Sequence, residues 1–102
     1  MPILKEQPSP GQIPEIDPEL LVGDRIQPGH PLYGIIWINP ERVSGAPCFF
    51  ATRVPIQNLF DSIAGGEDLA DFLDGFEGVT LEQARAVLDL AKAALYAQLE
   101  NV

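Results

Sequence analysis

At 102 residues the chain has room for one compact domain with a tail, and not for two ordinary domains. Hydrophobic residues make up 46% of it, enough for a real core, which argues against wholesale disorder. Fifteen acidic residues against six basic ones give a net charge of −9, a surface that repels phosphate backbones unless its few cations gather on one face. Such a surface suits a basic protein partner, and it also serves simply to keep a small protein soluble.

No run approaches the ~20 apolar residues that a membrane-spanning helix needs. The opening residues lack a basic-then-apolar signal pattern, and Pro2, Pro8 and Pro10 break any helix there, so a cytoplasmic protein is expected. The single cysteine, Cys48, permits no intrachain disulfide. Between Pro47 and Phe49 it reads as a small buried hydrophobe, since no base stands near it to make a nucleophile. The lone His30 lies in a Pro/Gly-rich stretch, and a zinc site would have to draw its remaining ligands from carboxylates. No metal and no cofactor are expected.

Residues 1–33 hold seven of the ten prolines and show no sustained hydrophobic period. They read as an extended arm with at most one short turn at 17–22, where Asp17-Pro18 resembles an N-cap followed by a first-position proline. Whether the arm lies along the core or reaches a second subunit is left open. From residue 34 the texture changes. Ile35-Ile36-Trp37-Ile38 is a β-branched and aromatic run stopped by Asn39-Pro40, and Cys48-Phe49-Phe50-Ala51-Thr52 reads as a second short strand. Two such strands make a hairpin-like unit that is marginal unless other elements cover it.

Three helices are expected after it. Ile56, Leu59, Phe60, Ile63 and Ala64 form one apolar stripe at helical spacing, and Gly65-Gly66 ends it. Asp68 or Glu67 can cap a second short helix with Leu69, Phe72, Leu73 and Phe76 facing inward. Thr80-Leu81-Glu82-Gln83 fits a capping box that opens a third helix running to about residue 100. Its inner side carries Leu81, Ala84, Val87, Leu88, Ala91, Leu95 and Leu99, and its outer face Glu82, Arg85, Asp89 and Lys92. The fold class is therefore mainly α, a short β-hairpin-like unit followed by a three-helix bundle. A short helix, a tight turn and a longer helix also fit a helix-turn-helix outline.

Residues 38–95 carry a chain of motifs. Ile38-Asn39-Pro40-Glu41 is followed by Ser44-Gly45-Ala46-Pro47, then by Ala51-Thr52-Arg53-Val54-Pro55-Ile56, a helix ending in Gly65-Gly66, and Val79-Thr80-Leu81-Glu82-Gln83-Ala84. In this order they resemble the domain-of-unknown-function family numbered 433, whose signature is similar to Gly-Thr-Arg-Ile-Pro-Val. The resemblance implies a homeodomain-like three-helix domain, often the antitoxin of a bacterial toxin–antitoxin pair, with a PIN-like ribonuclease toxin as partner. It also implies a homodimer and, for some members, binding to their own operators. Departures from the pattern lie at Ala46 and Phe50, where basic residues are common, at Ala51 in place of the signature glycine, and at Glu77 in place of a proline. From residue 34 onward four basic residues face ten acidic ones, which weakens the DNA-binding half of the expectation and leaves protein binding untouched.

Candidate site residues follow from these readings. Alternation along the second strand puts Phe50 outward if Phe49 faces inward, making Phe50 a candidate partner contact. Arg53, between strand and helix, has two readings: a contact to a phosphate or a partner carboxylate, or, the favoured one, a tie from the junction to backbone carbonyls, Asp61 or Asp71. Thr52 is expected to bond locally at the same junction. Asp68, Asp71 and Asp74, flanked by Glu67 and Glu77, are dense enough to face a basic protein surface, although acidic residues also favour the first turn of a helix. Arg53, Arg85 and Lys92 are the weak candidates for DNA contacts. No nucleophile–base pair, phosphate loop or metal triad stands out, so no enzyme is expected. The expected function is that of a non-catalytic antitoxin-like protein; the alternatives are a DNA-binding regulator and an acidic adaptor module.

Overall fold

The computed structural model describes residues 16–100. Within the proline-rich stretch, residues 18–21 form a single turn of 3-10 helix, and the Asp17 carboxylate accepts from the Glu19 N–H at 2.9 Å. The chain then lies along the core. Asn39 Nδ2 donates to the Val22 carbonyl at 2.9 Å, the Arg25 N–H donates to the Ile38 carbonyl at 2.9 Å, and Ile26 is buried. Gly23 is required in this passage: its φ is +89°, and a Cβ there would lie 2.9 Å from Asn39 Nδ2. The first 15 residues of the arm lie outside the described residues.

The strands are shorter than their apolar runs. β1 (Ile36–Trp37) pairs antiparallel with β2 (Cys48–Phe49) in the register Ile36↔Phe49 and Trp37↔Cys48. Turns absorb the neighbouring residues: the N–H groups of Ile35 and Ile36 bond back to Leu32, and the Thr52 N–H bonds to Phe49. So small a sheet holds only because both faces are covered. Ile36 and Phe49 face the helices, in a core with Leu59, Phe72, Val79, Ala84 and Val87. Trp37 and Cys48 face the opposite way with Phe50, under Ile16, Leu21 and Tyr33.

Helix α1 (Gln57–Ala64) follows Pro55 and ends at Gly65-Gly66, with Gly66 at φ +99°. Only Leu59 of its apolar stripe is fully buried. Phe60, Ile63 and Ala64 are exposed, because the helix lies at the rim of the core and is covered on the Leu59 side alone. Helix α2 (Leu69–Gly75) packs against α1 and buries Phe72. Helix α3 (Leu81–Leu99) opens on the expected capping box: Thr80 Oγ1 accepts from the Gln83 N–H at 3.0 Å, and Gln83 Oε1 accepts from the Thr80 N–H at 3.1 Å. Its first two turns bury Gln83, Ala84 and Val87, whereas every residue from 89 to 100 is exposed. The inward side expected for Ala91, Leu95 and Leu99 is thus uncovered, since no other described element reaches that far. The result is the expected mainly α fold, a two-stranded hairpin in front of three helices. No helix among the described residues is long and apolar enough to cross a membrane.

Candidate partner-binding surface

The strand-to-helix junction is built from the backbone outward. Thr52 Oγ1 donates to the Phe49 carbonyl at 2.8 Å and accepts from the Val54 N–H at 3.0 Å, so Thr52 does the local bonding expected of it. Ala51 turns the chain at φ +66°. Trp37 Nε1 donates to the Thr52 carbonyl at 2.6 Å, tying the junction to β1.

Phe50 is not a surface aromatic. Alternation does put it opposite Phe49, but that face of the hairpin is roofed by residues 16–33 rather than open to water. Phe50 is 1% exposed, with ring centroids 5.2 Å from Tyr33 and 5.4 Å from Trp37. Among the described residues the exposed aromatics are Tyr96 on α3 and, ten residues on from Phe50, Phe60 near Ile63 on α1. The spacing places Phe60 on the apolar stripe; that the core stops at Leu59 was not readable from it.

Arg53 also departs from the favoured expectation. It is exposed, and among the described residues it makes no hydrogen bond or ion pair, so it does not tie the junction to Asp61 or Asp71. The guanidinium that does structural work belongs to Arg42, which pairs with the buried Asp24 and stacks over the Trp37 ring at 3.8 Å from the centroid. This pair bolts the proline-rich stretch to the segment after β1. Sequence reasoning missed it, and the only signal was an aspartate two residues before apolar Ile26.

The acidic run on and around α2 divides in two. Asp68 and Asp71 complete a reciprocal cap, the Asp68 carboxylate accepting from the Asp71 N–H at 2.9 Å and the Asp71 carboxylate from the Asp68 N–H at 3.4 Å. Asp74, Glu67 and Glu77 have no such duty among the described residues. All five are exposed, with Asp61 on the adjoining α1, and the same pair of helices presents Phe60 and Ile63. Two packed helices that expose both apolar side chains and carboxylates can dock a protein surface that is partly apolar and partly basic. Arg85 and Lys92 stand on the exposed side of α3, two helical turns apart, outside any ion pair among the described residues. Glu82 and Asp89 precede each of them by three residues, which lowers the local positive potential.

Among the described residues no three His, Cys, Asp or Glu side chains are grouped to hold a metal ion. Cys48 is buried, its Sγ 3.4 Å from the Ala46 carbonyl that it donates to, and burial holds the thiol above its ordinary range against the opposing pull of Arg42. No curated protein and no solved structure matches the chain. A family model described as protein of unknown function (DUF433) matches residues 36–91, from β1 to the middle of α3 and more than half of the chain. The chain therefore belongs to the DUF433 family.

Proposed function

We propose that this chain is a non-catalytic, antitoxin-like binding protein of the cytoplasm that neutralises a basic, PIN-like ribonuclease toxin by direct complex formation. The observation that carries the binding role is the acidic surface on and around α1 and α2, where Asp61, Glu67, Asp68, Asp71, Asp74 and Glu77 are exposed, as are Phe60 and Ile63 of α1. The toxin as the partner rests on the family resemblance. Charge complementarity speeds encounter and fixes register, and the uncovered aromatic supplies the buried contact that such an interface needs.

Tagged co-expression with the products of neighbouring genes, followed by pull-down and size-exclusion chromatography with light scattering, tests this reading. A defined complex with a nuclease-like protein is expected, and it weakens when Asp74 and Glu77 are reversed to lysine. Failure to capture any neighbouring product would overturn it.

A second reading draws on Arg53, Arg85 and Lys92, exposed and without an ion pair among the described residues, as contacts to operator DNA. With so acidic a surface around them, affinity for a phosphate backbone is expected only at low salt. An absence of binding to its own promoter at low salt would remove this reading for the isolated protein.

A further inference from the structure

We infer that residues 16–25 form a clasp that opens as a unit while the helical domain stays folded, gating access to the Trp37, Cys48 and Phe50 face of the hairpin. This inference is independent of what the surface of α1 and α2 binds. The hairpin divides the interior into two packed clusters. On one face Ile36 and Phe49 join Leu59, Phe72, Val79, Ala84 and Val87. On the other, Trp37, Cys48 and Phe50 are covered by Ile16 and Leu21 of the clasp, together with Tyr33. Ile26, the residue after the clasp, is buried in the first cluster and is the fixed end about which the clasp turns. The family match begins at residue 36, so the clasp is an addition to the unit that the family shares.

The clasp is lightly held. Seven of its ten residues are exposed, Leu20 and Val22 among them. Its apolar contribution to the covered face is two half-buried side chains, set against the backbone entropy lost in ordering the whole segment. Its turns are bonded within itself, the N–H groups of Leu20, Val22 and Asp24 donating to the carbonyls of Asp17, Glu19 and Leu21. Among the described residues three polar ties reach the hairpin and the segment after β1. They are the Arg25 N–H to the Ile38 carbonyl, Asn39 Nδ2 to the Val22 carbonyl, and the Asp24–Arg42 ion pair. All three fall within residues 22–25, next to the fixed end, so their rupture frees the rest of the clasp together. The ion pair is the latch. The Asp24 side chain is 1% exposed, and Asp24 Oδ1 and Arg42 Nη1 have no partner among the described residues. Closed, both ions forgo water that their remaining atoms do not replace; opened, both are rehydrated. Rehydration offsets part of the cost of opening, which an apolar anchor in the same place would not do.

The test is native-state hydrogen exchange on the full chain, across urea concentrations below its unfolding transition. The amides of Leu20, Asp24 and Arg25 are expected to share one opening equilibrium and one small, non-zero urea slope. Their protection is expected to be at least about tenfold lower than that of Val87 and Leu88 in α3, whose urea slope is steep. Asp24→Lys turns the latch into a repulsion with Arg42. It is expected to remove protection from the clasp and to raise acrylamide quenching of Trp37, the lone tryptophan. Val87 and Leu88 are expected to stay protected in this variant, and the α-helical circular dichroism to be unchanged. A single equilibrium and slope for clasp and α3 would mean one cooperative fold and would overturn the inference. A zero slope at the three amides, which marks the fraying of separate turns, overturns it too. So does an Asp24→Lys chain that keeps the clasp closed, or one that loses the protection of α3.

Discussion

Gln83, in the first turn of α3, donates from Nε2 to the Phe50 carbonyl at 3.1 Å, across 33 positions of sequence. The same nitrogen reaches the Gly34 carbonyl at 3.4 Å, while Oε1 accepts from the Thr80 N–H. One buried amide thus caps a helix and fastens that helix to both sides of the hairpin. Gln83→Leu keeps the volume and removes all three bonds, leaving buried backbone groups without partners. It is expected to cost about 2–4 kcal/mol in urea unfolding. A loss under about 0.5 kcal/mol would show that water replaces the amide without penalty.

The Asp24–Arg42 pair has the opposite character, since its worth lies in not being broken. The Asp24 side chain is 1% exposed, and Asp24 Oδ1 and Arg42 Nη1 have no partner among the described residues. A buried pair with unfilled bonding capacity recovers little of its desolvation cost, yet a lone buried carboxylate is worse. Arg42→Met is expected to destabilise by about 3–5 kcal/mol, and the double substitution Asp24→Leu with Arg42→Met by clearly less. Equal losses in the two variants would mean that the packing of Arg42 over Trp37, and not its charge, is what matters.

The contrast between these two sites marks how far the sequence could be read. Asp68, Thr52 and the Thr80–Gln83 box were legible because a cap is complete within three or four residues. The order of the elements was legible for the same reason, since periodicity and turn residues act locally. Phe50 was misplaced because alternation along a strand tells which faces differ, and not which of them another segment covers. The Asp24–Arg42 tie spans 18 positions and leaves no spacing to recognise. Of the acidic residues proposed for the binding surface, all three aspartates are exposed; that Phe60 of α1 is exposed too shows only once the limit of the core is known.

Among the described residues three non-glycine positions, Val43, Ser44 and Ala51, hold left-handed backbone, where a side chain is a burden. Ala51 sits at φ +66° in the junction turn, where the family signature resembles glycine, and Val43 sits at φ +50° before Ser44 and Gly45. A β-branched residue in this region is the more strained of the two. Ala51→Gly and Val43→Gly are each expected to raise stability by about 0.5–1 kcal/mol, with Val43→Gly the larger gain. Thermal unfolding reads this directly, and a fall in midpoint for Val43→Gly would mean that packing of the valine side chain outweighs its backbone.

The acidic residues of α2 should separate by role. Asp68→Ala removes the cap of α2 and is expected to cost about 1 kcal/mol of stability. Asp74→Ala and Glu77→Ala, which touch no cap, are expected to leave stability within about 0.5 kcal/mol. Reversing Asp74 and Glu77 to lysine should instead slow association with a basic partner, an effect that fades as salt is raised. Unchanged association at low salt would mean that the partner docks elsewhere.

Cys48 offers a pH test of its burial. The folded thiol holds its proton more tightly than the unfolded one because burial disfavours the thiolate, with Arg42 offsetting part of that effect. As pH rises, the unfolded state therefore loses its proton first. The stability tied to this group is fully present below the unfolded value, about 8.5, and is lost as pH climbs above it. Other groups titrate in the same range, so the useful quantity is the difference between the parent chain and Cys48→Ala. That difference is expected to be constant from about pH 6 to 8 and to narrow above. The thiolate is the reactive species, so a neutral-pH thiol reagent should modify Cys48 only at the rate at which the fold opens, and rapidly in urea. Prompt modification of the folded chain, or a difference that stays flat into alkaline pH, would mean that the thiol reaches solvent without unfolding.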